Sequence, residues 1–209
     1  MTAATRLGNM RKKPAKLKNP WADHYTRKAQ KERFPARSVY KLKEIQQKYR
    51  IIRRGDRVLD LGCAPGSWLL YAAEVTGSQG RVVGIDLKAV TVPLPEQVSV
   101  STGDLLTMTG GVDSQDTHYD VILSDMAPAT TGNKDTDAAR SLELCQAALA
   151  VAQARLVRGG RFVCKIFQGP DFKSFTEVVK ADFNQAKIFK PQSSRKASKE
   201  IYIIGMGKK

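Results

Sequence analysis

A lysine lies in the middle of a segment whose pattern predicts a buried strand. In GRFVCKIFQG, residues 160–169, Lys165 stands between apolar residues, and glycines bound the segment. Short apolar runs of this kind are typical of strands that are covered on both faces of a parallel sheet. The apolar residues are Phe162, Val163, Ile166 and Phe167. Because lysine is almost never fully buried without a partner, Lys165 is a candidate for chemistry.

A glycine-bearing turn follows an earlier predicted strand, in VLDLGCAPGSW, residues 58–68. Gly62 and Gly66 allow the backbone to turn sharply and to approach a ligand closely. Their G-x-x-x-G spacing is neither the G-x-G-x-x-G of dinucleotide folds nor part of a phosphate-binding P-loop, so the turn indicates no pyrophosphate cradle. Taken alone, the turn serves equally well as a simple connection from a strand to a helix.

Two acids that follow later strands strengthen the case for a ligand. Asp86 ends the next strand, 20 residues after Gly66, where a carboxylate can accept hydrogen bonds from ribose hydroxyls. Asp104 follows the third strand, where it could accept a hydrogen bond from an adenine amino group. Either acid alone is as readily a turn or cap residue. Together with the strand order they favour an adenosine ligand without phosphates, and S-adenosylmethionine is the cofactor we expect.

Strands and helices alternate from Asp56 onward, which predicts an α/β fold with a mostly parallel sheet and helices on both faces. Ser38 is the predicted N-cap of the first helix, and Gly159-Gly160 is the predicted stop of the long third helix. No internal repeat and no second folded domain are evident. The predicted strands are 57–61, 81–85, 98–101, 119–124, the strand of Lys165, 186–189 and 200–204, and the predicted helices are 38–50, 68–75, 136–156 and 171–183.

The net charge of +15 is concentrated in the first quarter of the chain. Residues 1–54 hold 17 of the 35 Lys and Arg residues but only 3 of the 20 Asp and Glu residues. This asymmetry favours a nucleic-acid partner over a merely solvated face, because aromatic residues that could stack on bases lie in the same segment. They are Trp21, Tyr25, Phe34 and Tyr40. Residues 1–20 are predicted to be disordered, with a mitochondrial transit peptide as the alternative.

The cysteine and apolar content bounds the compartment. The three cysteines are odd in number and form no C-x-x-C pair, which favours a reducing compartment over a disulfide framework or a zinc site. They are Cys63, Cys145 and Cys164, each expected to be a small buried hydrophobe. No apolar run is long enough to span a membrane, and the chain does not start like a signal peptide. We therefore expect a cytoplasmic monomer that binds neither a metal nor a membrane.

Six motifs in order along the chain carry a resemblance to a known family. From about residue 20 to the C-terminus, the chain resembles the FtsJ family of S-adenosylmethionine-dependent ribose 2'-O-methyltransferases. The resemblance implies a Rossmann-like sheet whose last strand is antiparallel. We expect a basic, partly disordered arm over residues 1–35 that contacts RNA, followed by a methyltransferase domain over residues 36–209. The motifs are RSVYKLKEI, VLDLGCAPGSW, GIDL, SDMAP, KIFQG and SSRKASKEIYI.

The resemblance also implies site residues. The family's Lys–Asp–Lys–Glu catalytic set falls on Lys41, Asp125, Lys165 and Glu200. Its cofactor-binding residues fall on Gly66, Trp68, Asp86, Asp104 and Asp125. One departure is Ser67, where many members have a second glycine. A serine is tolerable there if its φ angle is negative, because only a positive φ demands glycine.

These positions give Lys165 a hypothetical role in methylation of a ribose 2'-hydroxyl. Lys165 would orient the hydroxyl and accept its proton, Asp125 would hold Lys165 and touch the cofactor, and Lys41 and Glu200 would position the ribose. Burial and a second cation lower the pKa of an amine, whereas carboxylates raise it, and the sequence leaves this balance open. In the alternative interpretation, Lys165 and Asp125 form an ion pair that only supports the fold. Lys41 would then be a solvated helix residue and Glu200 an ordinary acid at a strand end.

The leading hypothesis is an enzyme that methylates a uridine ribose in large-subunit ribosomal RNA, with the assembled subunit as its substrate. Methylation of a tRNA anticodon loop and a mitochondrial ribosomal role remain open, because the motifs are common to all three. A non-catalytic RNA-binding or ribosome-assembly factor with the same fold is the alternative from a different class. The intact four-residue set argues against that alternative, since a protein without activity would be free to lose one of the four.

Overall fold

The computed structural model describes residues 20–105, 118–195 and 197–209. The first part of the predicted arm and the side chain of Trp21 lie outside the described residues. The α/β alternation predicted from Asp56 onward is confirmed. The elements are α1 (Pro20–Lys31), α2 (Val39–Tyr49), β1 (Arg57–Leu61), α3 (Ser67–Thr76), β2 (Arg81–Asp86), β3 (Val98–Thr102), β4 (Tyr119–Ser124), α4 (Lys134–Arg155), β5 (Leu156–Phe167), α5 (Phe172–Asp182), β6 (Phe183–Phe189) and β7 (Glu200–Lys208).

The strands form one seven-stranded sheet in the order β3-β2-β1-β4-β5-β7-β6. Neighbours from β3 to β5 are parallel, and β7 is antiparallel to both β5 and β6. The predicted antiparallel last strand is therefore confirmed. Its direction brings the start of β7 to the sheet edge at which β4 and β5 end.

Helices cover the sheet on both faces, as predicted. One face is packed by α4 and α5, and the other by α2 and α3. Each fully buried Leu or Ile contributes about 1.5–3 kcal/mol of transfer free energy, so the two cores hold the helices firmly on the sheet. Buried helix residues on the first face include Cys145, Leu149, Phe175 and Val179. Those on the second face include Leu42, Ile45, Leu69 and Ala72.

The predicted helix stop at Gly159-Gly160 is wrong. The backbone is already extended at Leu156, with φ −84° and ψ 132°, and β5 begins there. Leu156 is buried, so entering the core competes successfully with continuing the helix. The two glycines lie inside the strand instead, where the β4–β5 register shifts and Gly159 has a φ of 77°. The glycines therefore serve this irregularity in the strand and are not a helix C-cap.

The N-terminal end of the described chain also differs from the sequence-based predictions in two details. Helix α1 was not predicted, because Ala29 is its one fully buried apolar residue among those with described side chains, and it packs against Val39 and Tyr40 of α2. Ser38 precedes α2 as predicted but makes no side-chain capping hydrogen bond. Its backbone is helical, with φ −57° and ψ −24°, whereas a capping side chain requires the extended region.

The three cysteines are free and buried, as predicted. None of the helices in the described ranges is long and apolar enough to cross a membrane.

Candidate active site

The predicted catalytic residues lie at the edge where β4 and β5 end. Asp125 directly follows β4, and Lys165 lies near the end of β5. The antiparallel register places Tyr202 opposite Lys165 and Glu200 opposite Phe167. Carboxyl ends of parallel strands are where open α/β sheets bind ligands, so this edge is the place to look for a site.

Lys165 has the partner that its burial requires. Its Nζ lies 2.9 Å from Oδ1 of Asp125, and the two side chains are 5% and 15% exposed. The same ammonium also donates to the backbone carbonyl oxygen of Asp125. These two contacts fix the amine at the end of β4 while Asp125 remains partly open to solvent.

Tyr202 is a site residue that sequence reasoning missed. Its hydroxyl donates a hydrogen bond of 2.6 Å to Oδ1 of Asp125, and the residue is completely buried. Burial raises the pKa of Tyr202 well above its usual value, and the negative charges of Asp125 and Glu200 add to this effect. The phenol therefore stays protonated and acts as a donor. Its signal in the sequence was a polar group in the otherwise apolar run IYIIG.

Lys41 and Glu200 form a second pair. The Nζ of Lys41 lies 2.6 Å from Oε1 of Glu200, with side chains 12% and 14% exposed. Ser194 donates a further hydrogen bond of 2.9 Å to the same oxygen. The Lys41 ammonium also lies 6.0 Å from the ring centroid of Tyr202, whose hydroxyl bonds to Asp125. Tyr202 thus stands between the two pairs, and the structure brings all four predicted catalytic residues together.

The charges of this cluster keep Asp125 ionised. Burial, the largest single influence, raises its pKa, but the ammonium groups of Lys165 and Lys41 and the hydrogen bonds from Lys165 and Tyr202 together outweigh burial. The net result is a lowered pKa for Asp125. A carboxylate in this state can hold an amine in a fixed orientation.

The pKa of Asp60, which lies opposite Leu123 on the neighbouring strand, is shifted in the opposite direction. It is completely buried in β1, and neither carboxylate oxygen has a hydrogen-bond partner within the part of the chain that the structure describes. Burial raises its pKa well above the usual value, and the charges of Asp125 and Asp86 act in the same direction. The neutral acid is therefore the favoured form of Asp60.

A cavity of about 300 Å³ opens beside the cluster at the ends of β1, β2 and β4. Among the described residues, the charged ones that line it are Asp86, Asp104, Asp125 and Lys88. The excess of carboxylates favours a cationic ligand that offers hydrogen-bond donors over a phosphate. The apolar part of the lining includes Leu61, Ile85, Leu87, Leu105 and Ala127.

The predicted glycine turn forms one wall of this cavity. Gly62 has a φ of 77°, and a Cβ there would lie 2.5 Å from Cγ of Met126, so only glycine fits. Asp86 accepts a hydrogen bond of 2.9 Å from the backbone N–H of Ala64, which ties the turn to the end of β2. A ribose hydroxyl at Asp86 would therefore lie directly against the turn.

Gly66 and Trp68 lie outside the lining of this cavity. Gly66 has a φ of 108° and precedes α3. Trp68 is buried, and its indole N–H donates a hydrogen bond of 2.9 Å to the carbonyl oxygen of Ser38. Their predicted contact with the cofactor stays a prediction. Ser67 begins α3 without a positive φ, since only Arg33 and Arg50 have one among the described residues other than glycine.

These features fit S-adenosylmethionine. Its ribose and adenine carry hydrogen-bond donors that suit carboxylates such as Asp86 and Asp104, and its positive charge suits the three carboxylates among the described lining residues. With its mixed sheet and antiparallel β7, the molecule has the Rossmann-like fold of an S-adenosylmethionine-dependent methyltransferase.

Comparison with known proteins identifies the family within this class. The family model of FtsJ-like methyltransferases matches residues 34–208. The chain belongs to the FtsJ-like methyltransferase family, which confirms the resemblance drawn from the six motifs and the expected cofactor.

Relatives and solved structures agree with this membership. A ribosomal RNA large subunit methyltransferase E from Desulforapulum autotrophicum is 62% identical over 92% of this chain and 95% of its own length. A protein of the same name from Desulfatibacillum aliphaticivorans is 53% identical over 95% of this chain and 96% of its own. A Plasmodium falciparum crystal structure bearing the name ribosomal RNA methyltransferase has a TM-score of 0.76 at 29% identity, covering 84% of this chain and 98% of that one. Human methyltransferase-like protein 13, in complex with SAH, shares the fold at a TM-score of 0.54 and 14% identity, over 78% of this chain and 74% of its own.

Proposed function

We propose that the protein transfers a methyl group from S-adenosylmethionine to the ribose 2'-hydroxyl of a uridine in large-subunit ribosomal RNA. The observation that carries the proposal is the double position of Asp125. It lines the cofactor cavity and also holds the Lys165 ammonium at 2.9 Å. A hydroxyl bound at Lys165 would therefore lie beside the cofactor.

The cofactor supplies an activated methyl group on a sulfonium, so the protein mainly has to align the oxygen nucleophile. Lys165 orients the 2'-hydroxyl, and its amine form accepts the proton as the oxygen–carbon bond forms. Asp125, ionised by its lysine partners, keeps the amine in place.

The second pair positions the ribose. Lys41 and Glu200 offer a donor and an acceptor within 2.6 Å of each other, which suits a ribose that presents both kinds of group. Their small remaining exposure leaves them accessible from solvent. Tyr202 fixes the distance between this pair and Asp125 through its hydroxyl and ring.

The relatives' name supports large-subunit ribosomal RNA as the substrate class. We assign the uridine and the assembled subunit as the finer parts of the same proposal, and the cytoplasm as its compartment, where ribosomal subunits and reduced cysteines are found together.

The decisive test is methyl transfer from labelled S-adenosylmethionine. Purified protein is incubated in parallel with unmodified large subunits, their naked RNA and unmodified tRNA. Label recovered as 2'-O-methyluridine from the subunits supports the full proposal, and label from naked RNA alone moves the substrate to free RNA. Label in tRNA alone replaces the proposal with anticodon-loop methylation. Cofactor binding without label in any arm favours an RNA-binding or assembly factor.

We also propose that residues 1–35 form an RNA-contacting arm on a methyltransferase domain over residues 36–209. The support is charge: residues 1–19 contain six basic residues and no acid. Replacing all six with Gln should weaken RNA binding and reduce the slope of log affinity against log salt by about 0.7 for each phosphate that is no longer neutralised. Substituting Lys173 and Lys187, exposed on α5 and β6, is the control. An unchanged salt slope would contradict an RNA role for the arm. The six residues are Arg6, Arg11, Lys12, Lys13, Lys16 and Lys18.

A further inference from the structure

The first turn of α3 is bonded to the backbone that leads into α2. The hydroxyl of Ser67 accepts a hydrogen bond of 2.8 Å from the N–H of Ala36 and donates one of 3.1 Å to the carbonyl of the same residue. Ser67 is 1% exposed. A single side chain thus satisfies both backbone groups of Ala36, which a glycine or alanine at position 67 has no means to do.

The neighbouring indole continues the connection to Lys41. The carbonyl oxygen of Ser38 accepts a hydrogen bond of 2.9 Å from Nε1 of Trp68. It also accepts one of 3.0 Å from the backbone N–H of Lys41. The start of the helix that carries Lys41 is therefore fixed to α3 by three hydrogen bonds from two adjacent residues.

We propose that Ser67 is a positioning residue that sets the place of Lys41 relative to Glu200; this rests on the function proposed above for Lys41. Ser67, the first residue of α3, does not line the cofactor cavity. Without the hydroxyl, the N–H of Ala36 loses this partner, and its carbonyl is left with the longer hydrogen bond of 3.5 Å from the N–H of Val39. The start of α2 then shifts to find others, and the 2.6 Å contact between Lys41 and Glu200 changes with it.

The test compares two buried hydroxyls of α3. Thr76 is also 1% exposed, but within the described part of the chain its hydroxyl bonds to Ala72 and Ala73 of its own helix. Ser67→Ala should lower the single-turnover rate at saturating cofactor and RNA by about 10-fold to 100-fold, because small misplacements of a positioning group are costly. The dissociation constant for S-adenosylmethionine should stay within about twofold, since Ser67 acts away from the cavity. Thr76→Ala should retain the rate.

A double-mutant cycle with Lys41→Met separates this inference from the proposed function. If Ser67 acts through Lys41, Ser67→Ala should have no further effect on the rate of Lys41→Met. Equal losses in both backgrounds, or an unchanged rate for Ser67→Ala alone, overturn the positioning role. A wild-type rate for Lys41→Met alone overturns the proposed role of Lys41 instead. If Ser67→Ala does not fold, Trp68→Phe removes one hydrogen bond of the same connection and is tested in the same cycle, with cofactor affinity measured alongside.

Discussion

The two lysine–carboxylate pairs of the site are alike in geometry but differ in how they are built. Lys165–Asp125 and Lys41–Glu200 have contact distances of 2.9 and 2.6 Å, and all four side chains are at most 15% exposed. The first pair comes from adjacent parallel strands, whose register places Ser124 opposite Cys164 and so fixes the residues that follow them. The second pair joins a helix to the first residue of a strand, so it depends on packing between distant segments.

Helix α2 supports the second pair twice. Besides carrying Lys41, it carries Glu44, whose carboxylate accepts hydrogen bonds of 2.6 and 2.9 Å from the backbone N–H groups of Gln192 and Ser193. Arg37, just before α2, donates one of 2.9 Å to the carbonyl of Ser193. The segment that contains Gln192 and Ser193 leads along the chain to Glu200. The sheet therefore fixes the Lys165–Asp125 pair, whereas the position of α2 decides the geometry of the Lys41–Glu200 pair.

The largest effect should follow from breaking the pair that the sheet builds. Lys165→Met should lower the methyl-transfer rate by about 10²-fold to 10⁴-fold, the usual contribution of a general base. It should also cost about 3–5 kcal/mol of unfolding free energy, because the Asp125 charge stays buried without its partner. Single-turnover kinetics and urea unfolding measure the two effects.

The matched control is a buried ion pair near the N-terminal ends of β1 and β4, away from the site. Arg161, also on β5, lies 2.8 Å from Asp56, with side chains 9% and 11% exposed. Arg161→Met should destabilise the protein to a similar degree and leave the rate per folded molecule unchanged. If both variants keep the wild-type rate, Lys165–Asp125 is an ion pair that only supports the fold.

Breaking the pair that depends on α2 should cost less. Lys41→Met removes a charge-assisted hydrogen bond, worth about 1.5–3 kcal/mol, so the rate should fall by about 10-fold to 100-fold. The control is Lys43→Met on the same helix, where the ammonium lies 2.7 Å from Glu32 instead. Lys43→Met should keep the rate. Equal losses for Lys41→Met and Lys165→Met would mean that the two pairs act as one unit.

The smallest effect concerns two carboxylates, one with a lysine and one without. The pKa of Asp60 is raised by burial, so its contribution to stability is fully present below the unfolded value of about 3.9 and is lost as pH rises toward the folded value. Asp60→Asn should therefore gain stability relative to wild type as pH rises above about 4. Asp125, whose pKa is lowered, should show the reverse. It stabilises above its unfolded pKa and loses that contribution as pH falls through the folded one.

Urea midpoints of wild type, Asp60→Asn and Asp125→Asn between about pH 2 and pH 8 measure both curves against the unfolded pKa. A difference between Asp60→Asn and wild type that does not change with pH would contradict the raised pKa, because it would mean that Asp60 has the same pKa in the folded and unfolded states.

Part of the site could be predicted because one local rule is violated. A lysine inside an apolar strand needs a partner, so Lys165 was identifiable from its own segment. Lys41 and Glu200 break no local rule, since a helix lysine and an acid at a strand end are ordinary. Only their motifs indicated them, because their meeting depends on how α2 packs and on the direction of β7.

Other contacts could not be predicted because they join distant segments. Ser67 and Ala36 are 31 residues apart, and no local pattern relates the first residue of one helix to a backbone group before another. Helix α1 was not predicted because polar and charged residues dominate its sequence, PWADHYTRKAQK. Tyr202 could have been found, since side chains two residues apart share a strand face, and Glu200 was already a candidate.

The direction of β7 also bears on which changes this chain can survive over evolutionary time. Its first three residues present Glu200 and Tyr202 to the site, with Ile201 between them in the strand. A one-residue insertion or deletion between them would move every later side chain of β7 to the opposite face of the sheet. A point substitution in β7 changes the contacts of one side chain, whereas a change of length changes the contacts of all the side chains that follow it. Length variation among related chains should therefore concentrate before Glu200.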